Sequence, residues 1–167
     1  MKKILLSLAL ISGLFAVDIS NIDKACKNQD QSNCAFELDE YCKEDLKACY
    51  QYSKDLCAKD NFSGCLMTAI ANVKLVKEQL IDIKEAYIDA QKAISKLCEL
   101  PNIIVKNESS HNKFCVVAGD GLVLKDGKDY GLETNPQKAL SYYKRACDAQ
   151  SSVGCERYNS LKTFLNK

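Results

Sequence analysis

The sequence predicts an all-α protein built from helical hairpins, and three observations carry that prediction. Cysteines eight positions apart recur at Cys26 and Cys34, Cys57 and Cys65, and Cys147 and Cys155. Each pair brackets a polar, turn-rich spacer: KNQDQSN, AKDNFSG or DAQSSVG. The flanking segments place apolar residues at helical spacing. Eight residues of continuous helix span about 12 Å, whereas a disulfide needs its two Cα atoms within about 7 Å. A bonded pair therefore requires the chain to turn back between its cysteines. Asp148, Ser151, Ser152 and Gly154 favour turns. Asn33 and Gly64 end the other two spacers, and Asn and Gly tolerate the left-handed backbone a tight return uses.

The first stretch, MKKILLSLALISGLFA, is expected to lie outside the fold. Lys2 and Lys3, an apolar run and the small Ala16 make the pattern of a bacterial secretory signal over residues 1–16. The run is too short to read as a membrane span. No cysteine follows directly, so no lipid anchor is signalled. Residues 17–167 then form one cysteine-rich domain, a length that suits a single core. Of 23 Lys and Arg, removal of Lys2 and Lys3 leaves 21 against 22 Asp and Glu, a net charge of about −1. That balance argues against a nucleic-acid or membrane-surface partner. The expected location is periplasmic or secreted.

Export decides how the cysteines read. All ten follow the expected cleavage site: Cys26, Cys34, Cys42, Cys49, Cys57, Cys65, Cys98, Cys115, Cys147 and Cys155. In an oxidising compartment an even number suggests a disulfide framework. There is no C-x-x-C, so no thioredoxin-type pair or zinc knuckle is signalled, and no C-x-x-C-H for haem attachment. His111 is the only histidine. No cofactor or metal is expected.

The helical segments follow in order. EDLKACYQYSKDLC leads to Cys57, and LMTAIANVKLVK follows Cys65. NPQKALSYYKRAC leads to Cys147, with Asn135 as N-cap and Pro136 at the first helical position. Ala139, Tyr142, Tyr143 and Ala146 form one apolar face there, and ERYNSLKTFL follows Cys155. In the middle an apolar stripe runs through Leu66, Ile70, Val73, Val76, Leu80, Ile83, Tyr87, Ala90, Ile94 and Leu97. It reads as one long helix or as two broken near Gln79 to Asp82. Asp82 and Glu85 are spaced as an N-cap and its partner, which favours the break. Cys98 and Cys115 flank an enlarged turn, ELPNIIVKNESSHNKF, and GDGLVLKDGKDYGLETN reads as a loop.

The segment ALSYYKRACDAQSSVGCERYNSL resembles a Sel-one-like repeat of the cysteine-rich kind. The resemblance rests on Ala139, Tyr142, Tyr143, Lys144, Ala146, Cys147, Gly154 and Cys155. GKDYGLETNPQKA looks like that family's inter-repeat loop. Overall the chain resembles the Helicobacter cysteine-rich proteins, the Hcp β-lactamase group, most specifically over residues 119 to 158. It departs in irregular repeat lengths, its first cysteines standing at 26, 57, 98 and 147, and in the extra pair Cys42 and Cys49. The resemblance implies an exported α/α solenoid of TPR-like repeats with one disulfide per helix pair. It implies the pairs Cys26–Cys34, Cys57–Cys65, Cys98–Cys115 and Cys147–Cys155, leaving Cys42–Cys49 to staple two units.

Two functions follow. Solenoids of helix pairs present a concave surface that binds proteins or peptides, so an interaction scaffold with a protein or peptide ligand is expected. Tyr50, Tyr52, Tyr142 and Tyr143 are candidate contacts, with packing between helices the favoured role for most. The alternative is the penicillin-binding or weak β-lactamase activity the family label implies. Such an enzyme needs S-x-x-K, which Ser110-His111-Asn112-Lys113 matches within the enlarged turn. K-T-G is absent, Lys162-Thr163-Phe164 being the nearest string, and S-D-N is absent too. One histidine cannot build a metallo-type site. A redox role through labile disulfides is disfavoured, because no flank marks a low-pKa thiol. Asn61-Phe62-Ser63 and Asn107-Glu108-Ser109 match the glycosylation sequon. Neither has an acidic residue two positions upstream.

Overall fold

The computed structural model describes residues 19–27, 31–101, 108–125 and 127–166; the leader expected over residues 1–16 lies outside them. Among the described residues every regular element is helical. The α-helices are α1 (Ser20–Lys27), α2 (Gln31–Glu44), α3 (Leu46–Ala58), α4 (Phe62–Lys77), α5 (Ile83–Glu99), α6 (Glu108–Leu122), α7 (Pro136–Asp148) and α8 (Ser152–Leu165). A short 3-10 turn, Gly127–Tyr130, precedes α7. Each helix packs against the next, and α2 meets α4, α3 meets α5 and α6 meets α8.

Short polar side chains start most of these helices by accepting from free backbone N–H groups of the first turn. Asp45 accepts from Ala48 N, Asn61 from Gly64 N, Asn135 from Lys138 N and Ser151 from Gly154 N. Pro136 fills the first position of α7, where no N–H is needed. The middle of the chain is two helices. α4 stops at Lys77, Gln79 takes a left-handed backbone (φ 57°), and Asp82 caps α5 by accepting from Lys84 N and Glu85 N.

The cysteines join the helices in five bonds. Cys26–Cys34 ties α1 to α2, Cys42–Cys49 ties α2 to α3, and Cys57–Cys65 ties α3 to α4. Cys98–Cys115 ties α5 to α6, and Cys147–Cys155 ties α7 to α8. Their Cα atoms stand between 4.4 and 5.0 Å apart, well within disulfide reach. In the Cys57 and Cys147 bends both cysteines lie inside helices, so the turn is shorter than the spacer: residues 59–61 and 149–151.

These bends correct the role expected of glycine. The left-handed residues are Asp60 (φ 61°) and Gln150 (φ 63°), while Gly64 and Gly154 are helical. Glycine is needed there for close approach instead. A Cβ on Gly64 would lie 2.5 Å from Leu56 Cβ and 2.8 Å from Cys57 N; one on Gly154 would lie 2.6 Å from Ala146 Cβ and 2.9 Å from Cys147 N. No real Cβ sits so near, so the first turn of the second helix can press on the last turn of the first only without a side chain.

Among the described residues the core falls into three clusters along the chain. One spans α1 to α4 around Leu38, Tyr50 and Leu75; one lies around Cys57, Cys65, Ala93 and Leu97; and one spans α5 to α8 around Leu122, Tyr142 and Tyr143. The apolar stripe expected across α4 and α5 meets the core only at its ends, where Leu97 is buried and Leu66 and Ile94 pack against core clusters, and its middle faces outward. Ile70, Val73, Leu80, Ile83 and Tyr87 are exposed, Val73 by 71 %. α4 buries Met67, Thr68, Ala71, Asn72 and Leu75 instead. It is flanked by α2, α3 and α5, and packing on three sides selects small side chains that let backbones approach.

Two expected loops are partly helical. Within the enlarged turn α6 begins at Glu108, and of the glycine-rich stretch residues 119–122 still belong to α6. Gly119 is helical, and a side chain is excluded there because the Tyr143 ring lies 2.4 Å from where a Cβ would be. The remaining loop is clamped by Gln91 of α5. Its Nε2 donates to Gly121 O and Glu133 O (3.2 and 3.0 Å), and its Oε1 accepts from Glu133 N (3.1 Å).

Candidate functional site

The bend after Cys57 and the bend after Cys147 are the same device. Asn61 N donates to Leu56 O and Ser151 N to Ala146 O; Asp60 N donates to Cys57 O and Gln150 N to Cys147 O. A cation on the next odd-numbered helix closes the exposed ends of α3 and α5. Lys96, two residues before Cys98, donates to Cys57 O and Ala58 O at the end of α3 (3.0 and 3.1 Å) and to Asp60 (2.6 Å). Arg145, two residues before Cys147, donates to Glu99 O and Leu100 O at the end of α5 (3.3 and 3.0 Å). Positive charge at a helix C-terminus offsets its partial negative charge and satisfies its last carbonyls. The sequence carries these residues at matching positions, but only the packing of α3, α5 and α7 gives them a target.

The four tyrosines offered as surface contacts are used between helices. Tyr50, Tyr142 and Tyr143 are buried and Tyr52 is half-buried. Tyr52 donates to Asp23, Tyr142 to Glu99 and Tyr143 to Asp120. Tyr50 donates to Asp89 (2.6 Å), which also receives Lys54. Burial first, then the neighbouring carboxylate, pushes all four phenols above the ordinary tyrosine value. Burial would raise Asp89, but the bonds from Lys54 and Tyr50 outweigh it and hold the carboxyl below the usual range. The Asn72 amide lies close enough to favour the Tyr50 phenolate but outside hydrogen-bonding geometry.

Asn72 is the odd residue of this region. It is only 2 % exposed, yet among the described residues neither side-chain amide atom has a hydrogen-bond partner. Such a group costs about 1–3 kcal/mol. It lines a cavity of about 200 Å³ between α4 and α5 whose other walls are apolar: Ala69, Val73, Val76, Ala86, Tyr87 and Ala90. The Tyr87 ring leans on Tyr130, centroids 4.9 Å apart. This is where exposed apolar side chains gather on α4 and α5. The sequence places Val73 and Tyr87 on the apolar stripe and passes over Asn72, because nothing local marks an amide as unpaired.

The remaining sequence candidates are dispersed. Ser110 stands in the first turn of α6, not in a loop; its side chain and that of His111 lie outside the described residues. Asn112 donates to Ala149 O (3.0 Å). The Asn61 sequon is occupied structurally. Its Oδ1 accepts from Gly64 N (2.8 Å) and its Nδ2 donates to Cys26 O (3.3 Å), so the amide is not free for a glycan. Asn107 lies outside the described residues. No group of three His, Cys, Asp or Glu is placed to hold a metal ion among the described residues. No described helix is long and apolar enough to cross a membrane. No family model, curated protein or solved structure matches this chain. Five disulfides in so small a protein suit an oxidising compartment.

Proposed function

We propose that the chain is a disulfide-stapled helical-repeat protein, exported to the periplasm or beyond, that serves as an interaction scaffold for a protein or peptide. The observation that carries this reading is the recurring device between helix pairs. A disulfide-closed bend with a glycine pressed on the preceding helix recurs at Cys57 and Cys147, and a cation from the next unit recurs at the ends of α3 and α5, as Lys96 and Arg145. That recurrence, together with the sequence resemblance to Sel-one-like and Helicobacter cysteine-rich proteins, supports a solenoid. Units stacked in this way contact mainly their neighbours and leave long surfaces free for binding. Each eight-residue loop closed by a disulfide contributes roughly 2.5 kcal/mol by loss of chain entropy in the unfolded state. A framework stiffened in this way loses little freedom on binding.

The test is affinity capture from the envelope and medium of the source cells on the oxidised protein. A component that is enriched, and that binds again when purified, supports the scaffold. Enrichment that persists on reduced, unfolded bait counts against it, because the folded surface is then irrelevant. The second reading, a penicillin-binding or weak β-lactamase activity, is favoured by one observation, the position of Ser110 of the S-x-x-K string at the start of α6. Turnover of a chromogenic cephalosporin that disappears in Ser110→Ala would overturn the scaffold reading.

A further inference from the structure

We propose that the groove between α3 and α5 holds an acidic side chain of a partner peptide, its carboxylate seated between Lys54 and Lys92. This inference rests on the scaffold reading and adds where the partner docks and what it presents. The groove encloses about 200 Å³. Lys54 and Ala58 of α3 form one side, and Asp89, Lys92, Ala93 and Lys96 of α5 the other. The three lysines differ in how far the folded chain uses them. An ammonium carries three donors. Lys96 uses all three, on Cys57 O, Ala58 O and Asp60. Lys54 uses one, on Asp89, and lies over the Tyr50 ring. Lys92 stands exposed, and among the described residues it has no hydrogen bond or ion pair.

Charge selects the occupant. Lys54, Lys92 and Lys96 meet two carboxylates, Asp89 and Asp60, so one positive charge is left over in the groove. A single carboxylate balances it, one oxygen accepting from Lys54 and the other from Lys92. A phosphate group, with nearly two charges at neutral pH, would overcompensate. A membrane surface or a nucleic acid needs a run of free cations, whereas two of these lysines already have an acid beside them. The carboxylate must also belong to a larger ligand. An exposed ion pair contributes only about 0–1 kcal/mol, too little to hold a free small acid. The rest of the binding has to come from apolar contact, which Ala58, Ala93 and the aliphatic stems of the lysines offer. A glutamate or aspartate within a peptide supplies both.

The test is two-dimensional amide NMR of the oxidised protein with two small probes. One is N-acetyl-alanyl-glutamyl-alanine N-methylamide; the other is its glutaminyl counterpart, of the same shape and without the charge. The expected result is shifts centred on residues 54–58 and 89–96. The glutamyl peptide should bind about fivefold more tightly, and that preference should fade as salt is raised to about 0.5 M. Lys92→Gln removes the charge of an exposed side chain that bonds to nothing in the folded chain, so it is expected to fold as the wild type does and to erase the preference. Lys74→Gln, at an exposed position of α4 outside the groove, is expected to keep it. Equal affinity for the two peptides, a preference that survives in Lys92→Gln, or shifts elsewhere would each overturn the proposal. Sodium acetate that shifts the same amides at the same concentrations would overturn it too, as binding of a small anion only. A purified partner that binds Lys92→Gln as tightly as the wild type would likewise overturn it, while leaving the scaffold reading in place.

Discussion

Asp60 and Gln150 hold the left-handed backbone at their bends although neither is glycine or asparagine. A non-glycine residue there costs roughly 1–2 kcal/mol, and at Asp60 the bond from Lys96 offsets part of it. Among the described residues Gln150 has no such partner, so Gln150→Gly is expected to raise stability by up to about 1 kcal/mol. Gly154→Ala is expected to do the opposite and cost about 1–3 kcal/mol, because its Cβ would collide with Ala146 and the Cys147 amide. Urea unfolding of the two oxidised variants at one pH checks both signs. A neutral Gly154→Ala would sink the close-approach argument. Single residues were readable where their role is local. Asn135 and Asp82 mark helix starts through bonds to amides two or three positions on, and Pro136 by filling a first position that needs no N–H. Gly64 and Gly154 were read as turn formers because their true constraint comes from the opposite helix.

At the scale of the element, helices and bends were legible and the orientation of the central helices was not. Caps, cysteine spacing and the break before Asp82 are written into short stretches of chain. Which face of α4 turns inward depends on three neighbours at once: the apolar spacing runs through Ile70 and Val73, whereas the packing buries Ala71 and Asn72. The bends also differ in one respect that spacing does not reveal. Cys147 and Cys155 are half-buried, whereas both cysteines of the other four bonds are buried. A reducing thiolate or phosphine must reach a sulfur directly, so a covered disulfide reacts only after local opening. Limited reduction followed by alkylation and peptide mapping is therefore expected to label Cys147 and Cys155 first. First labelling at Cys42 and Cys49 would show that the joint between α2 and α3 opens more readily than the terminal hairpin.

Across the whole molecule, neighbouring helices are held by small core clusters and by a set of phenol-to-carboxylate bonds. Tyr52 reaches α1, Tyr50 and Tyr142 reach α5, and Tyr143 reaches α6. Each bond needs the tyrosine protonated, and each folded-state value is raised above the ordinary 10.0. The folded chain therefore keeps protons that the unfolded chain gives up as pH passes 10. By linkage the contribution is complete below the unfolded tyrosine value and is lost as pH rises above it. The urea midpoint is expected to be insensitive to these groups at neutral pH and to fall steeply above about pH 10. Over the same range native phenolate absorbance should lag behind that of the unfolded chain. Rapid mixing keeps the measurement ahead of alkaline disulfide cleavage. Tyr143→Phe removes the hydroxyl but keeps the ring on Gly119, so it should make the alkaline fall shallower. An unchanged slope in that variant, or native tyrosines that all ionise freely near pH 10, would mean that these bonds do not couple the helices.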